Sequence, residues 1–90
     1  MELSELRTQI DAIDAQLIEL LERRMDVAAG VAEYKRGTGK PVLDTARELE
    51  KLQAVSDRCR PETAELITGL FAEIMAASRA FQTRLLEEET

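Results

Sequence analysis

The sequence contains no histidine and no tryptophan, and its 90 residues include only one cysteine, one tyrosine and two phenylalanines. Without histidine the chain cannot form a Ser-His-Asp or Cys-His catalytic centre, or a zinc site with histidine ligands. The single Cys59 excludes an intrachain disulfide and a multi-cysteine metal site. Its free thiol fits a reducing cytoplasm, where we expect the protein to reside. The 3% aromatic content disfavours an aromatic-rich β-barrel.

The charge balance and the N-terminus exclude further classes of protein. The formal net charge is −6, which argues against broad nucleic-acid binding. The N-terminal residues Met1 to Glu5 do not resemble a signal peptide, and no apolar run approaches the length of a membrane span. A hydrophobic content of 44% is too high for a disordered chain. We therefore expect a folded protein that binds neither nucleic acid nor membrane, with residues 1–90 forming a single domain.

The apolar spacing predicts an all-α fold of three helices, one long and two shorter. The first runs from about Ser4, a possible N-cap, to about Arg36, and its apolar residues alternate steps of four and three as in a heptad repeat. They are Leu6, Ile10, Ile13, Leu17, Leu20, Val27, Val31 and Tyr34.

Proline and aspartate delimit the other two helices. Asp44 is a good N-cap for the second, which should end near Arg58 because Pro61 follows. Its predicted inward face carries Leu49, Leu52, Val55 and Cys59. The third begins around Pro61 to Thr63, presents Ile67, Phe71, Ile74, Ser78, Phe81 and Leu85 on one face, and frays in the tail Glu87-Glu88-Glu89. We interpret Cys59 as a small core side chain at the end of the second helix.

The length of the first helix predicts the assembly. About 33 residues make a rod of roughly 50 Å, whereas a compact domain of this size has a diameter of about 30 Å. The two shorter helices cannot cover such a long apolar seam. A second copy of the chain is the simplest cover, so we expect an intertwined helical homodimer.

Polar side chains interrupt the apolar seams of all three helices. Arg24 occupies a core position of the first heptad series, and Ser78 does so in the third helix, with Gln82 one turn further on. Glu48 shares the stripe of the second helix, and Lys35 flanks the seam of the first. Together they predict a polar cavity whose ligand is small and carries more than one carboxylate, because arginine binds carboxylates bidentately.

Each of these residues also has a purely structural interpretation. Arg24 can form an ion pair with Glu48 or another carboxylate. Ser78 can bond to its own helix backbone, and Gln82 and Lys35 can be solvated flank residues. Asp44 can act only as a cap.

Arg7 adds a geometric constraint. By itself it can be a surface charge paired with Asp11 four residues later. Arg7 and Arg24 are separated by roughly 25 Å along one helix, so they cannot hold the same small molecule from one chain. If both bind the ligand, one must come from the partner protomer, and antiparallel pairing of the long helices would give two equivalent sites.

The residues resemble, over nearly the whole chain, those of the all-helical (AroQ-type) chorismate mutases. The motifs that carry the resemblance, in order, are Leu6-Arg7-x-x-Ile10-x-x-Ile13-Asp14, Leu20-Leu21-x-x-Arg24, Lys35, Pro41-Val42-x-Asp44-x-x-Arg47-Glu48, and Phe71-x-x-Ile74-x-x-x-Ser78-x-x-x-Gln82. The resemblance implies an isomerase that rearranges chorismate to prephenate, an early step of the shikimate pathway towards phenylalanine and tyrosine.

The resemblance also implies roles for individual residues. Arg7 of one protomer and Arg24 of the other would hold the two carboxylates of the substrate, with Arg47 and Ser78 completing the lining near a carboxylate. Lys35 would reach a carboxylate and the ether oxygen of the breaking bond.

Gln82 would donate to the same ether oxygen, while Glu48 and the backbone near Asp44 would bind the ring hydroxyl. A pericyclic rearrangement needs no metal and no cofactor, and we expect none. It needs orientation of the reacting arm and stabilisation of the ether oxygen. The loop from Arg36 to Lys40, which contains two glycines, is expected to close over the ligand.

Two alternative functions stay open. Helical isochorismate-pyruvate lyases resemble the mutases but lack the acidic group at the position of Glu48, so Arg47-Glu48 favours the mutase. The second alternative is a non-catalytic or partner-dependent mutase-like regulatory domain. Such domains also occur fused to other enzymes of the pathway, so a fusion or partner enzyme is possible.

Overall fold

The computed structural model describes residues 1–88 and contains three helices and no strand within that range. Helix α1 spans Leu3–Thr38, α2 spans Thr45–Arg58 and α3 spans Ala64–Glu88. The predicted all-α fold with one long and two shorter helices is confirmed. None of the three helices combines the length and apolarity needed to cross a membrane.

Both ends of α1 lie beyond their predicted positions. The N-cap is Glu2, which makes no side-chain capping bond, and Ser4 lies inside the helix, where its carbonyl accepts from Thr8 Oγ1 at 3.0 Å. The expectation that Ser4 caps the helix is therefore wrong, because nothing before Ser4 prevents an earlier start. At the other end Gly39 adopts a φ of 72° and its N–H donates to the carbonyl of Lys35, a conformation that favours glycine.

The connecting loop therefore begins later than expected. Residues 36–38, which were assigned to the loop expected to close over the ligand, are helical, and Gly37 does not interrupt α1. The loop consists of residues 39–44 and carries Pro41 and Val42.

The predicted boundaries of α2 are confirmed, and α3 is slightly displaced. Asp44 caps α2 because its side chain accepts from the Arg47 N–H at 3.1 Å. Residues 61–63 form a turn and α3 starts at Ala64, one residue after the expected range. Cys59 is the half-buried C-cap of α2 rather than a core side chain.

The expected fraying is not seen at the end of α3 within the described range. Helix α3 continues through Glu88, and Glu89 lies outside the described residues.

Helix α3 lies between the other two helices. It packs against both α1 and α2, whereas no Cα atom of α1 lies within 8 Å of a Cα atom of α2. The buried apolar side chains are Ala28, Ala32, Val55 and Met75. This small core leaves an elongated shape of 54 × 26 × 14 Å. Because α2 packs only on α3, Leu49, which was predicted to face inward, stays 63% exposed.

The N-terminal half of α1 presents an uncovered apolar strip. Its leucines and isoleucines are between 37% and 61% exposed, and they are Leu3, Leu6, Ile10, Ile13, Leu17, Ile18, Leu20 and Leu21. Most belong to the predicted heptad seam. The chain by itself does not bury this seam, as the length argument expected.

Candidate active site

A cavity of about 360 Å³ lies between α1 and α2, with α3 as its floor. It exists because α1 and α2 both pack on α3 and not on each other. Its lining comprises Arg24, Val27, Ala28, Val31 and Lys35 of α1, Val42 and Asp44 of the loop, Arg47, Glu48 and Lys51 of α2, and Phe71, Met75, Ser78 and Gln82 of α3. The residues from α3 follow helical spacing, so they form one face of that helix. A volume of this size is typical of a small-molecule site.

Positive charge predominates in the lining. Four cationic side chains line the cavity, namely Arg24, Lys35, Arg47 and Lys51, against the two carboxylates of Asp44 and Glu48. The chain as a whole is acidic, with a net charge of −6, so this local excess of cations runs against the composition. Such an excess favours a small anionic ligand with more than one negative group.

Arg24 is half-buried and has no carboxylate within 4.0 Å among residues 1–88. The proposed structural pairing of Arg24 with Glu48 is therefore wrong. Glu48 instead accepts a hydrogen bond and ion pair from Arg79 of α3. The reason is the geometry of the helices, since α2 packs on α3 and not on α1. Arg24 is left with its donors directed to no protein anion, which suits a ligand carboxylate.

Lys35 connects α1 to the loop. Its half-buried Nζ donates to the carbonyl oxygen of Val42 at 2.7 Å. An ammonium group has three donors, and this bond uses one of them. Lys35 is therefore held at the cavity while still able to donate to a ligand.

Asp44 and Arg47 lie at the start of α2. The Asp44 carboxylate is committed to capping the helix. The Arg47 side chain is 64% exposed and its Nη1 is 4.0 Å from Glu50, so its ion pair is weak and screened by solvent. Arg47 can thus turn towards a bound anion at little cost.

Ser78 and Gln82 are the two buried polar side chains of α3, each 7% exposed. Gln82 Nε2 donates to Ser78 Oγ at 3.1 Å, and Gln82 Oε1 is buried without a hydrogen-bond partner among the described residues. A buried amide with unsatisfied capacity is costly unless something else bonds to it. The expectation that both residues face inward is met, and the amide borders the cavity.

Arg7 does not belong to this cavity. It lies in the exposed N-terminal part of α1, and no carboxylate, including Asp11, lies within 4.0 Å of it in residues 1–88. The alternative of an Arg7–Asp11 surface pair is therefore not realised. Seven of the eight residues predicted for the site line one cavity, and the eighth, Arg7, lies outside it.

Two charged residues near the site were not identified from the sequence. Lys51 lines the cavity one helical turn after Arg47, a spacing that could have revealed it. Arg79 contacts Glu48 across 31 residues of sequence, and no periodicity indicates such a contact.

The chain is similar in sequence and fold to known proteins of one family. The family model described as chorismate mutase type II matches residues 6–83. A chorismate mutase of Methanocaldococcus jannaschii is 31% identical over 88 residues, which are 96% of this chain and 89% of that protein. A crystal structure of chorismate mutase from Helicobacter pylori in complex with prephenate superposes with a TM-score of 0.86 at 36% identity, covering 96% of this chain and 94% of that chain.

Other relatives differ in length or substrate. The bifunctional chorismate mutase/prephenate dehydratase of Enterobacter agglomerans is 34% identical over 92% of this chain, which spans only 22% of that protein. The 4-amino-4-deoxychorismate mutase of Streptomyces venezuelae is 33% identical over 71% of this chain and 58% of its own length. The match of the family model over most of the chain, together with the relative and the structure that it matches almost end to end, shows that the protein belongs to the type II chorismate mutase family.

Proposed function

We propose that this protein catalyses the rearrangement of chorismate to prephenate in the cavity between α1 and α2, as a cytoplasmic enzyme whose residues 1–90 form one domain. The observation that carries the proposal is the cavity itself, where four cations and two buried polar side chains converge in an otherwise acidic chain. Chorismate has two carboxylates, an ether oxygen and a ring hydroxyl, and the lining offers a group suited to each of them.

The carboxylates would bind to guanidinium groups. Arg24 is half-buried and has no carboxylate within 4.0 Å in the described part of the chain, and its planar fork can form two parallel bonds to one carboxylate. Arg47, with its solvent-screened partner, can add a further contact, and the Ser78 hydroxyl can donate beside it. These contacts would hold the flexible enolpyruvyl arm over the ring, which is the orientation that the reaction needs.

The ether oxygen would be stabilised by Lys35 and Gln82. In the transition state the carbon–oxygen bond breaks while the new carbon–carbon bond forms, and negative charge grows on the oxygen. Lys35 has donors to spare beyond its bond to Val42, and the amide of Gln82 is fixed by Ser78 in a buried position. Donors that are already in place before the reaction stabilise such charge without reorganisation. No proton transfer or nucleophile is required.

A second copy of the chain would complete the site. The apolar strip of α1 is exposed, and the exposed Arg7 flanks it beside Leu6, roughly 25 Å from Arg24 along the helix. Antiparallel pairing of two α1 helices would cover the strip and bring Arg7 of the partner subunit over the cavity. The twofold symmetry would create two identical sites, each with residues from both subunits.

Mixing two inactive variants tests this arrangement. Arg7→Ala and Arg24→Ala are purified separately, then unfolded, mixed in equal amounts and refolded together. Chorismate consumption is followed by absorbance, with prephenate identified in the product. If the site is shared, half of the dimers are mixed and one of their two sites is intact, so activity should return to about a quarter of the wild-type value.

Each variant refolded alone is the control and should stay inactive. A mixture that is no more active than its components, although dimeric, would contradict a shared site. Wild-type protein that consumes isochorismate but not chorismate would instead support the lyase activity.

A further inference from the structure

Glu48 is the only lining carboxylate that is not committed to capping a helix, and it is held from outside the cavity. Arg79 of α3 binds Glu48 Oε1, yet Arg79 is not among the residues that line the cavity. The side chain of Arg79 is 33% exposed and that of Glu48 is 23% exposed, so the pair is partly shielded from water. The other oxygen of Glu48 has no partner among residues 1–88, which leaves it able to accept a hydrogen bond from a ligand.

A pairing of this kind restricts the glutamate side chain. Free glutamate samples many rotamers, and a charge-assisted bond from a guanidinium on the neighbouring helix selects among them. Arg79 lies one residue after Ser78, so the helix that forms the floor of the cavity also anchors this carboxylate. Arg79 thus links the orientation of Glu48 to the packing of α2 on α3.

The pairing also changes the charge that a ligand meets. Arg79 offsets the charge of Glu48, and Lys51 adds a cation to the lining one turn along α2. A neutral hydroxyl can still donate to the free oxygen of Glu48. An ammonium group at the same place would meet a carboxylate whose charge is already balanced by Arg79, and the positive charge of Lys51 would lie nearby.

We propose that Arg79 is a positioning residue that holds Glu48 towards the cavity and makes this end of the site select a neutral hydroxyl over an ammonium group on the substrate ring. The proposal rests on the proposed function, in which Glu48 binds the ring hydroxyl of chorismate. The relevant competitor is 4-amino-4-deoxychorismate, the substrate named for one relative, whose ring carries an amine that is protonated near neutral pH.

The experiment compares kcat/KM for the two compounds in the wild type and three variants. Arg79→Met removes the charge but keeps much of the side-chain volume, and Arg79→Lys keeps the charge. Arg84→Met is the matched control, because Arg84 is an exposed arginine of α3 that does not line the cavity.

The wild type should prefer chorismate. In Arg79→Met, Glu48 is left without its cation, so the preference for chorismate over the amino compound should fall roughly tenfold or more, the size of one charge-assisted interaction. Arg79→Lys should restore part of the preference, and Arg84→Met should leave it unchanged. A merely structural role would lower kcat/KM for both substrates by the same factor, and that result would overturn the proposal.

Measuring the binding of the two compounds tests the role of Arg79 separately from the proposed function. If the wild type converted neither compound, the proposed function would be wrong. The role of Arg79 would then be judged from calorimetric dissociation constants of the two compounds, whose ratio must change in Arg79→Met and not in Arg84→Met. An unchanged ratio would refute it.

Discussion

Replacing Leu17 by alanine tests whether a second copy covers the apolar strip of α1. Leu17 is 50% exposed in the isolated chain and lies in the middle of the strip. In a monomer the change would remove a half-solvated side chain, and surface substitutions usually alter the free energy of unfolding by about 0.5 kcal/mol or less. In a dimer whose α1 helices pack on each other, the same change truncates a buried leucine and costs about 2–5 kcal/mol.

Symmetry doubles the effect in the dimer. Each subunit contributes one Leu17, so the dimer loses roughly 4–10 kcal/mol. At 1.4 kcal/mol per factor of ten, the dissociation constant should rise by about three to seven orders of magnitude. Sedimentation equilibrium measures the constant directly. Denaturant unfolding at several protein concentrations measures the same effect, since the midpoint of a dimer depends on concentration.

The neighbouring Gln16 provides the control. Gln16 is exposed and lies one residue before Leu17, so it points to another side of α1. Gln16→Ala, like Leu17→Ala, replaces a good helix former by alanine, so the two changes alter helix propensity to a similar extent. Gln16→Ala should change the dissociation constant little. Two results together would refute the idea that a second copy covers the strip. The unfolding midpoint of the wild type would not depend on protein concentration, and Leu17→Ala would be as stable as Gln16→Ala.

The other predictions concern the cavity. Lys35→Ala should lower kcat about 10²- to 10³-fold, which is the effect of losing one preorganised donor. Lys40→Ala in the loop is the control and should leave kcat unchanged. Similar turnover of the two variants in a stopped assay of prephenate would contradict the role of Lys35. Gln82→Leu should lower kcat about 100-fold. It should leave the thermal unfolding temperature nearly unchanged, because the loss of the bond to Ser78 is offset by removal of a buried amide oxygen that has no partner among residues 1–88; a clear loss of stability would favour a structural role. Asp44→Ala should lower the free energy of unfolding by about 1 kcal/mol in denaturant unfolding, because alanine cannot accept the capping bond from the Arg47 N–H. Asp44→Asn should lower it much less, because asparagine keeps a side-chain oxygen that can cap α2; equal losses would exclude capping as the cause. Arg24→Lys should bind substrate about tenfold more weakly or worse, because a single ammonium cannot replace the bidentate fork; an unchanged KM would exclude that geometry.

The helices could be predicted because their signals are local. The heptad spacing of α1, the cap at Asp44 and the break at Pro61 are each set by a few neighbouring residues. The errors at Ser4 and Gly37 have the same origin. A serine caps a helix only if the chain does not continue as helix before it, and a glycine ends a helix only where the backbone takes a positive φ. That conformation occurs at Gly39 and not at Gly37.

The cavity could be predicted in part, because periodicity shows which residues share a face of one helix. It placed Arg24 on the seam of α1 and Ser78 on the seam of α3, with Gln82 one turn beyond Ser78. It could not show which charge on one helix meets which on another, since this depends on how α2 is rotated against α3. The pairing of Glu48 with Arg79, instead of Arg24, is the consequence.

Helix α1 contributes both to the cavity and to the apolar strip that a second copy would cover. Its C-terminal half contributes Arg24 and Lys35 to the cavity of its own chain, whereas the leucines and isoleucines of its N-terminal half are 37% to 61% exposed. If the partner's N-terminal half supplies Arg7, the residues that stabilise the dimer and the residue that completes the site lie in the same half of one long helix. Weakening the strip then removes Arg7 from the site as well, so activity lost by Leu17→Ala should return when protein concentration is raised above the new dissociation constant. Activity lost by Arg7→Ala should not return, and this difference separates assembly from substrate binding.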